Sequence, residues 1–357
     1  MKFLSKIALL AFLLITIGCN KSEDEEPTEI PTGESLILVG NEGGFGAVNA
    51  SLTVIAQNES TVSQNIYADA NDDAILGDVL NSMGEFGNEL FLVINNSEKI
   101  EVINSSDFTR SKTIFIDGSS PRYISFVSAG LAYVSDLFDT GLHVVNPTSG
   151  SYDSFLNLSN SVEHMLVIDN ELWGGESLDQ EFNPGDEIII VNTNSNQETE
   201  NIQLTAGVNK LVRDVNGKVW VLCSGNGNST PIVPAFLYRI NPTTKEIEAS
   251  VELPELTGYS PVGIASSADG QSIYYVMQGD VYRMEISASA LPVEPFIEPG
   301  LTTLYSLHCD PNTGQIALTD AKDYTQNGSL HVYNSNGVET GSYETSIVPN
   351  AVHWMDN

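Results

Sequence analysis

The chain is poor in positive charge. Lysine and arginine number 14 against 47 aspartates and glutamates in 357 residues, a formal net charge of −33. A field of that sign repels phosphate backbones and anionic lipid headgroups, which excludes nucleic acid as a partner. Cysteine is scarcer still, with only Cys19, Cys223 and Cys309. The repeat described below sets the last two on units five and seven, too far apart for a disulfide. Motifs of catalysis are missing as well: no Gly-x-Ser-x-Gly elbow, no His-Glu-x-x-His and no glycine-rich phosphate loop. The five histidines, His143, His164, His308, His331 and His353, show no metal-ligand spacing. Asp136, Glu176 and Asp320 offer the hard oxygens calcium prefers, but no EF-type spacing supports such a site. These absences predict a protein that is not an enzyme, with no catalytic residues, no cofactor and no metal.

Long apolar runs are confined to the start of the chain. Lys2 and Lys6 precede Ile7–Ile17, and Gly18-Cys19 closes the segment. The run is too short to span a bilayer comfortably and reads as a signal peptide over residues 1–18. Its ending, Ile15-Thr16-Ile17-Gly18-Cys19, resembles a bacterial lipobox, which implies cleavage before Cys19 and lipidation of its sulfur. Residues 19–34 mix like charge with proline and cannot bury enough apolar surface to fold, so they form a tether. That acidic stretch resembles the export signal of surface lipoproteins of Bacteroidetes. The expected address is the outer membrane, exposed at the cell surface.

What the rest of the chain has is a repeat. The strands LILVGN, LFLVIN, LAYVSD, LWGGE, VWVLC, IYYVMQ and IALTD align on Val39, Val93, Val134, Gly174, Val221, Val276 and Leu318. Their spacings are 54, 41, 40, 47, 55 and 42 residues. Asn104, Asn146, Asn192, Asn241 and Asn334 open turns at matching positions of the following strand. A unit of roughly 40–50 residues made of short strands is a propeller blade. The prediction is an all-β, seven-bladed β-propeller over residues 35–357, each blade of four antiparallel strands. Residues Val352–Met355 should pair beside Leu36–Asn41 and close the ring, removing its exposed edges. A six-bladed ring with one spurious repeat is the alternative.

Topology assigns the loops to faces. The loop after the second strand of each blade and the link into the next blade open on one face, and the other two hairpins open on the opposite one. The first set is long and irregular: Gly43–Asn49, Leu137–Gly141, Ser177–Asp186, Ser224–Pro234 and Ala321–Gly328. Variable loops on a rigid scaffold are where binding resides. Two residues beyond the aligned position stand Asn41, Asn95, Asp136, Glu176, Cys223, Gln278 and Asp320, all but one of them polar. They are candidates for a ring around the channel mouth, although strand ends also carry such groups to satisfy neighbouring backbone amides. The links bring Arg122, Tyr123, His164, Lys210 and Tyr305 toward the channel, with Glu163, Asn209 and Asn350 beside them. Arg122 and Lys210 read equally as counter-charges to nearby carboxylates. Phe45, Phe138, Phe182 and Tyr324 lie on the long loops, either as contacts for a bulky ligand or packed beneath their loops.

The segments Val39-Gly-Asn-Glu-Gly-Gly-Phe-Gly-Ala-Val-Asn-Ala-Ser-Leu, Leu76-Gly-Asp-Val, Val93-Ile-Asn-Asn-Ser-Glu-Lys-Ile-Glu-Val, Ser120-Pro-Arg-Tyr, Ala132-Tyr-Val-Ser-Asp and Asp280-Val-Tyr-Arg-Met are spread between residues 39 and 284. Together they resemble YncE-like surface propellers of Bacteroidetes. Better-known members of that family are cobamide-binding surface lipoproteins that capture vitamin B12 and pass it to a TonB-dependent outer-membrane transporter. The resemblance implies a seven-bladed ring, a cobamide as the favoured ligand and such a transporter as partner. A glycan or a siderophore suits the polar ring nearly as well. A calcium-dependent lactonase propeller and a passive scaffold are further alternatives.

Overall fold

The computed structural model describes residues 35–58, 61–176, 178, 183–255 and 263–356. The leader, Cys19, the tether and Phe182 lie outside the described residues. Seven antiparallel sheets are arranged as a propeller, numbered here as blades one to seven. The aligned apolar strands become the second strand from the axis in every blade, from Ser35–Asn41 in blade one to Ile316–Asp320 in blade seven. Each is covered on both faces by the neighbouring blades, so it reads as an unbroken apolar run. Outermost strands face solvent and are polar, as in Ser151–Asn157 of blade three.

The core consists of seven separate apolar clusters, one between each pair of adjacent blades. Trp173, Ile188 and Ile190 of blade four meet Val219, Val221 and Tyr238 of blade five in one of them. Ile37, Val39 and Ile55 of blade one meet Ala317, Leu330 and Val332 of blade seven in another. Seven interfaces require seven blades, which disposes of the six-bladed alternative. Gly174 occupies the position held elsewhere by Val or Leu because a Cβ there would lie 2.4 Å from Val162 Cγ1. The glycine makes room for its neighbour.

Closure follows the expected route. The last strand, Pro349–Asp356, pairs with the first, with Leu36 opposite Met355 and Val39 opposite Val352. The matched asparagines each fold a turn through their side-chain oxygen. Asn146 Oδ1 accepts from Ser149 N at 2.9 Å, and Asn241 Oδ1 from Thr243 N at 3.0 Å. Cys223 and Cys309 are free thiols on blades five and seven.

Blade six departs from the four-strand rule. It has three strands among the described residues, and a single bridge from Val281 to Ile297 replaces the fourth. The segment that would supply that strand contains Pro292, Pro295 and Pro299. Proline has no N–H for the ladder, so the segment cannot pair along its length.

Candidate functional site

Six of the seven innermost strands are irregular at one level. Each starts at the face carrying the long loops, since its first residue pairs with the end of the second strand, as Leu80 with Ile94 or Leu304 with Asp320. One or two residues later the register slips. The slips fall at 80/82, 121/124, 162/165, 208/211 and 304/306, and in blade one between 349 and 351. The residues left over are Asn81, Arg122 and Tyr123, Glu163 and His164, Asn209 and Lys210, Tyr305, and Asn350. A bulge re-aims side chains that a regular pleat would send into the sheet. Repeated at one level around the axis, it lines a channel mouth with polar groups.

Two carboxylates dominate that mouth. Arg122 donates to Glu163 Oε1 from Nε at 2.9 Å and from Nη2 at 2.6 Å. Both bonds fall on one oxygen, and Glu163 Oε2 is buried without a partner. Glu42 lies next to Asn41 in the chain, where the first loop begins. It accepts from Tyr305 Oη at 3.2 Å and from Asn350 Nδ2 at 2.8 Å. Burial raises its pKa from 4.5 to about 7, against the lowering effect of Arg122, Tyr305 and Asn350.

Deeper in, the charges are positive or absent. The rings of Tyr123 and His164 pack with centroids 4.0 Å apart. Burial, then the charges of Lys210 and Arg122, hold His164 far below the ordinary imidazole range. His308 is pushed down to about 3 by burial and Lys210, and its Nε2 lies 2.9 Å from the Asn350 carbonyl oxygen, to which it donates. Lys210 itself is shifted down by burial. No carboxylate among the described residues pairs with it. Between blades three, four and five a cavity of about 150 Å³ opens beside Arg122, Glu163, His164 and Asn209. Asn209 Oδ1 is a second buried acceptor without a partner there.

The sequence profile of a domain of unknown function, DUF5074, matches residues 36–347. The chain belongs to the DUF5074 family. No protein of curated function matches it. Among solved structures, a quinonprotein alcohol dehydrogenase-like protein from Bacteroides thetaiotaomicron is similar, with a TM-score of 0.71 and 13% identity, over 91% of this chain and 79% of that one. A putative 6-phosphogluconolactonase from Bacteroides fragilis superposes with a TM-score of 0.66 and 11% identity, over 90% and 98%. Hydrazine synthase from Kuenenia stuttgartiensis gives a TM-score of 0.61 and 13% identity, over 80% and 89%. At such identities the likeness is one of fold.

In this DUF5074 propeller the strand-end residues turn to the backbone. Asp136 accepts from Ser120 N at 2.5 Å and Phe138 N at 2.9 Å, and Asp320 from Thr303 N at 2.8 Å and Lys322 N at 2.9 Å. Glu176 accepts from Asp186 N at 2.8 Å and Glu187 N at 3.1 Å, and one edge of it reaches the cavity. Asn41 donates to Thr53 Oγ1 at 3.0 Å within its own blade, and Asn95 to the Pro121 carbonyl at 3.2 Å. These groups fasten loops and blade links to strand ends. Gln278 sits in the two-residue turn between Met277 and Asp280, exposed, with φ at 56°. Asp136, Glu176 and Asp320 stand on three blades and do not converge on a calcium ion.

The linking residues Arg122, Tyr123, His164, Lys210 and Tyr305 are brought together. Phe45, Phe138 and Tyr324 are 82%, 64% and 48% exposed on the loops around them. Tyr324 also meets Tyr305 edge-on at 5.8 Å. Glu42, Asn81 and His308 join the site unannounced. Glu42 was within reach of sequence reasoning, one step beyond Asn41 at the start of a long loop.

Proposed function

We propose that this DUF5074 propeller is a ligand-capture protein of the cell surface whose channel mouth binds a bulky polar nutrient, a cobamide before others. One observation carries the reading: six inner strands bulge at the same level and leave unpartnered polar atoms around one opening. Glu163 Oε2 and Asn209 Oδ1 lack donors, and Lys210 lacks an anion. A corrinoid's peripheral amides supply donors, and the phosphodiester of its nucleotide arm supplies the anion. The exposed aromatics provide the flat apolar contact that a macrocycle needs. Because the groups sit on paired strands, little ordering entropy opposes binding.

The leader and tether support the same reading. A lipid on Cys19 and the acidic segment after it would hold the propeller at the outer membrane beside a TonB-dependent transporter, at high effective concentration. Purified protein mixed with cobalamin and passed through a desalting column should emerge coloured. A colourless protein fraction would defeat the cobamide assignment and leave a glycan or siderophore to be tried at the same mouth.

One observation favours a second reading. A carboxyl with a pKa of about 7, as burial gives Glu42, is poised for proton transfer at neutral pH. A lactonase-type hydrolysis would then be expected at the mouth. Incubation with aldonolactones under pH-stat at pH 7 tests it, and a rate equal to the uncatalysed one removes it.

A further inference from the structure

Blade three carries a second group of ligating side chains, outside the mouth. Asp136 ends the second strand, Leu131–Asp136, and His143 stands on the third, Gly141–Asn146. His143 lies opposite Val134, which puts it diagonally across from Asp136 on one face of the blade. Gly141 stands between them with φ at +153°, and a Cβ there would lie 2.2 Å from the Leu156 carbonyl oxygen. That position is therefore empty of side chain. The loop of residues 137–140 then folds back over the gap. Asp139 N donates to Asp136 Oδ1 at 3.0 Å, and Gly141 N to the Asp139 carbonyl at 3.0 Å. His143 Nε2 ends 3.4 Å from Asp136 Oδ2 and 3.7 Å from Asp139 Oδ2. One ligand atom from each residue lies within 4.8 Å of the others.

Neither neutral tautomer of His143 satisfies this arrangement. His143 is 4% exposed, and its Nδ1 has no hydrogen-bond partner. With the proton on Nε2, the bond to Asp136 is long and Nδ1 is a buried acceptor without a donor. With the proton on Nδ1, the Nε2 lone pair is aimed at two carboxylate oxygens. A neutral tautomer pays in either case. A cation between the three groups accepts the Nε2 lone pair and neutralises both carboxylates at once, while the Nδ1–H stays buried without an acceptor, as it does in the imidazolium.

We propose that Asp136, Asp139 and His143 form a binding site for a first-row divalent metal ion, of which zinc is representative. One imidazole and two carboxylates suit such an ion, whereas calcium asks for six to eight oxygens. Asp139 sits on the exposed side, so water completes the coordination. The ion would pin the loop that carries Phe138 on the rim and Leu137 on the wall of the mouth cavity. Asp136 also accepts from Ser120 N, two residues before Arg122, so the same ion would brace the bulge of blade three.

The test uses the mature chain, stripped with chelator and titrated with zinc by calorimetry, alongside thermal melting. Asp139→Asn keeps the size of an exposed side chain and should fold normally; His143→Gln removes the nitrogen ligand. One zinc per chain should bind and raise Tm in wild type, with affinity about tenfold or more weaker in each variant, and calcium at millimolar concentration should not compete. Absence of zinc binding, zinc binding undisturbed by Asp139→Asn, or displacement of zinc by calcium would each overturn the proposal. If His143→Gln does not fold, Asp139→Asn alone decides.

Discussion

Replacing Glu42 with glutamine should change the pH dependence of stability in a defined direction. Glutamine can still accept from Tyr305 and Asn350, so the substitution removes charge and leaves the hydrogen bonds. The carboxyl has a pKa of 4.5 when free and about 7 in the fold, with burial as the main cause. Between those values the folded state holds the proton more tightly than the unfolded chain does. Stability from this group is thus fully present below pH 4.5 and is lost as the pH rises through about 7. At about 1.4 kcal/mol per pKa unit, the loss approaches ~3 kcal/mol by pH 8. Water in the channel mouth screens part of that, which leaves on the order of 1–2 kcal/mol.

Urea unfolding of wild type and Glu42→Gln at pH 5, 6, 7 and 8 measures it. Comparing the two proteins cancels every other titrating group. The variant should match wild type near pH 5 and exceed it by about 1–2 kcal/mol at pH 8. Parallel curves across the range, or a variant that is less stable at pH 8, would show that Glu42 is not held in a desolvating site.

Three further outcomes follow from the same geometry. His308, kept neutral by burial down to about 3, binds fewer protons than the unfolded chain below pH 6.5, so stability should fall by up to about 2 kcal/mol between pH 6.5 and 5; His308→Gln should flatten that acid limb in the same urea series. Arg122→Met alone leaves the Glu163 carboxylate buried without its partner and should cost about 3–5 kcal/mol, whereas Arg122→Met with Glu163→Gln should recover most of it in a double-mutant cycle. Deleting residues 348–357 removes the strand that pairs with Leu36–Asn41 and exposes a sheet edge, so calorimetric unfolding should lose its single cooperative transition.

The fold was legible because each blade repeats the same physical necessities. A second strand sandwiched between blades has to be apolar throughout, and a third strand that ends on a tight turn has to supply an asparagine oxygen. Those two marks, seven apolar runs and five asparagines, are local and survive without any alignment. Where the pattern failed, a neighbour was responsible. Gly174 looks like a gap until Val162 is seen filling it, and the prolines near Pro295 reveal only in the fold that blade six lacks a full fourth strand.

The candidate site was legible in part. Arg122, Tyr123, His164, Lys210 and Tyr305 can be placed near one another from the sequence because they follow the blade links, where an inner strand must begin. The strand-end residues Asp136, Asp320 and Glu176 occupy the right level, but they accept from backbone amides of the loops they anchor and do not form a ring around the mouth. Periodicity fixes which face of a sheet a residue occupies; it does not fix direction at a strand end, where a bulge or a turn intervenes. Glu42 and Asn350, brought together by ring closure from opposite ends of the sequence, needed the fold before they could be paired. The Asp136–Asp139–His143 group is not legible in the sequence for a similar reason, since its spacing is set by a hairpin and not by a linear motif.

The central claim is that the bulged mouth is the binding site, and a calorimetric titration of cobalamin into wild type and into Asn209→Leu/Lys210→Met tests it most directly. Both residues face the mouth and neither holds a protein partner through the atom removed, Asn209 Oδ1 or the Lys210 ammonium. Wild type should bind, and the double variant should lose about 2 kcal/mol or more, roughly thirtyfold in affinity, with a melting temperature equal to or above that of wild type. No heat from wild type at high micromolar cobalamin, or equal affinities in the two proteins, would contradict the account.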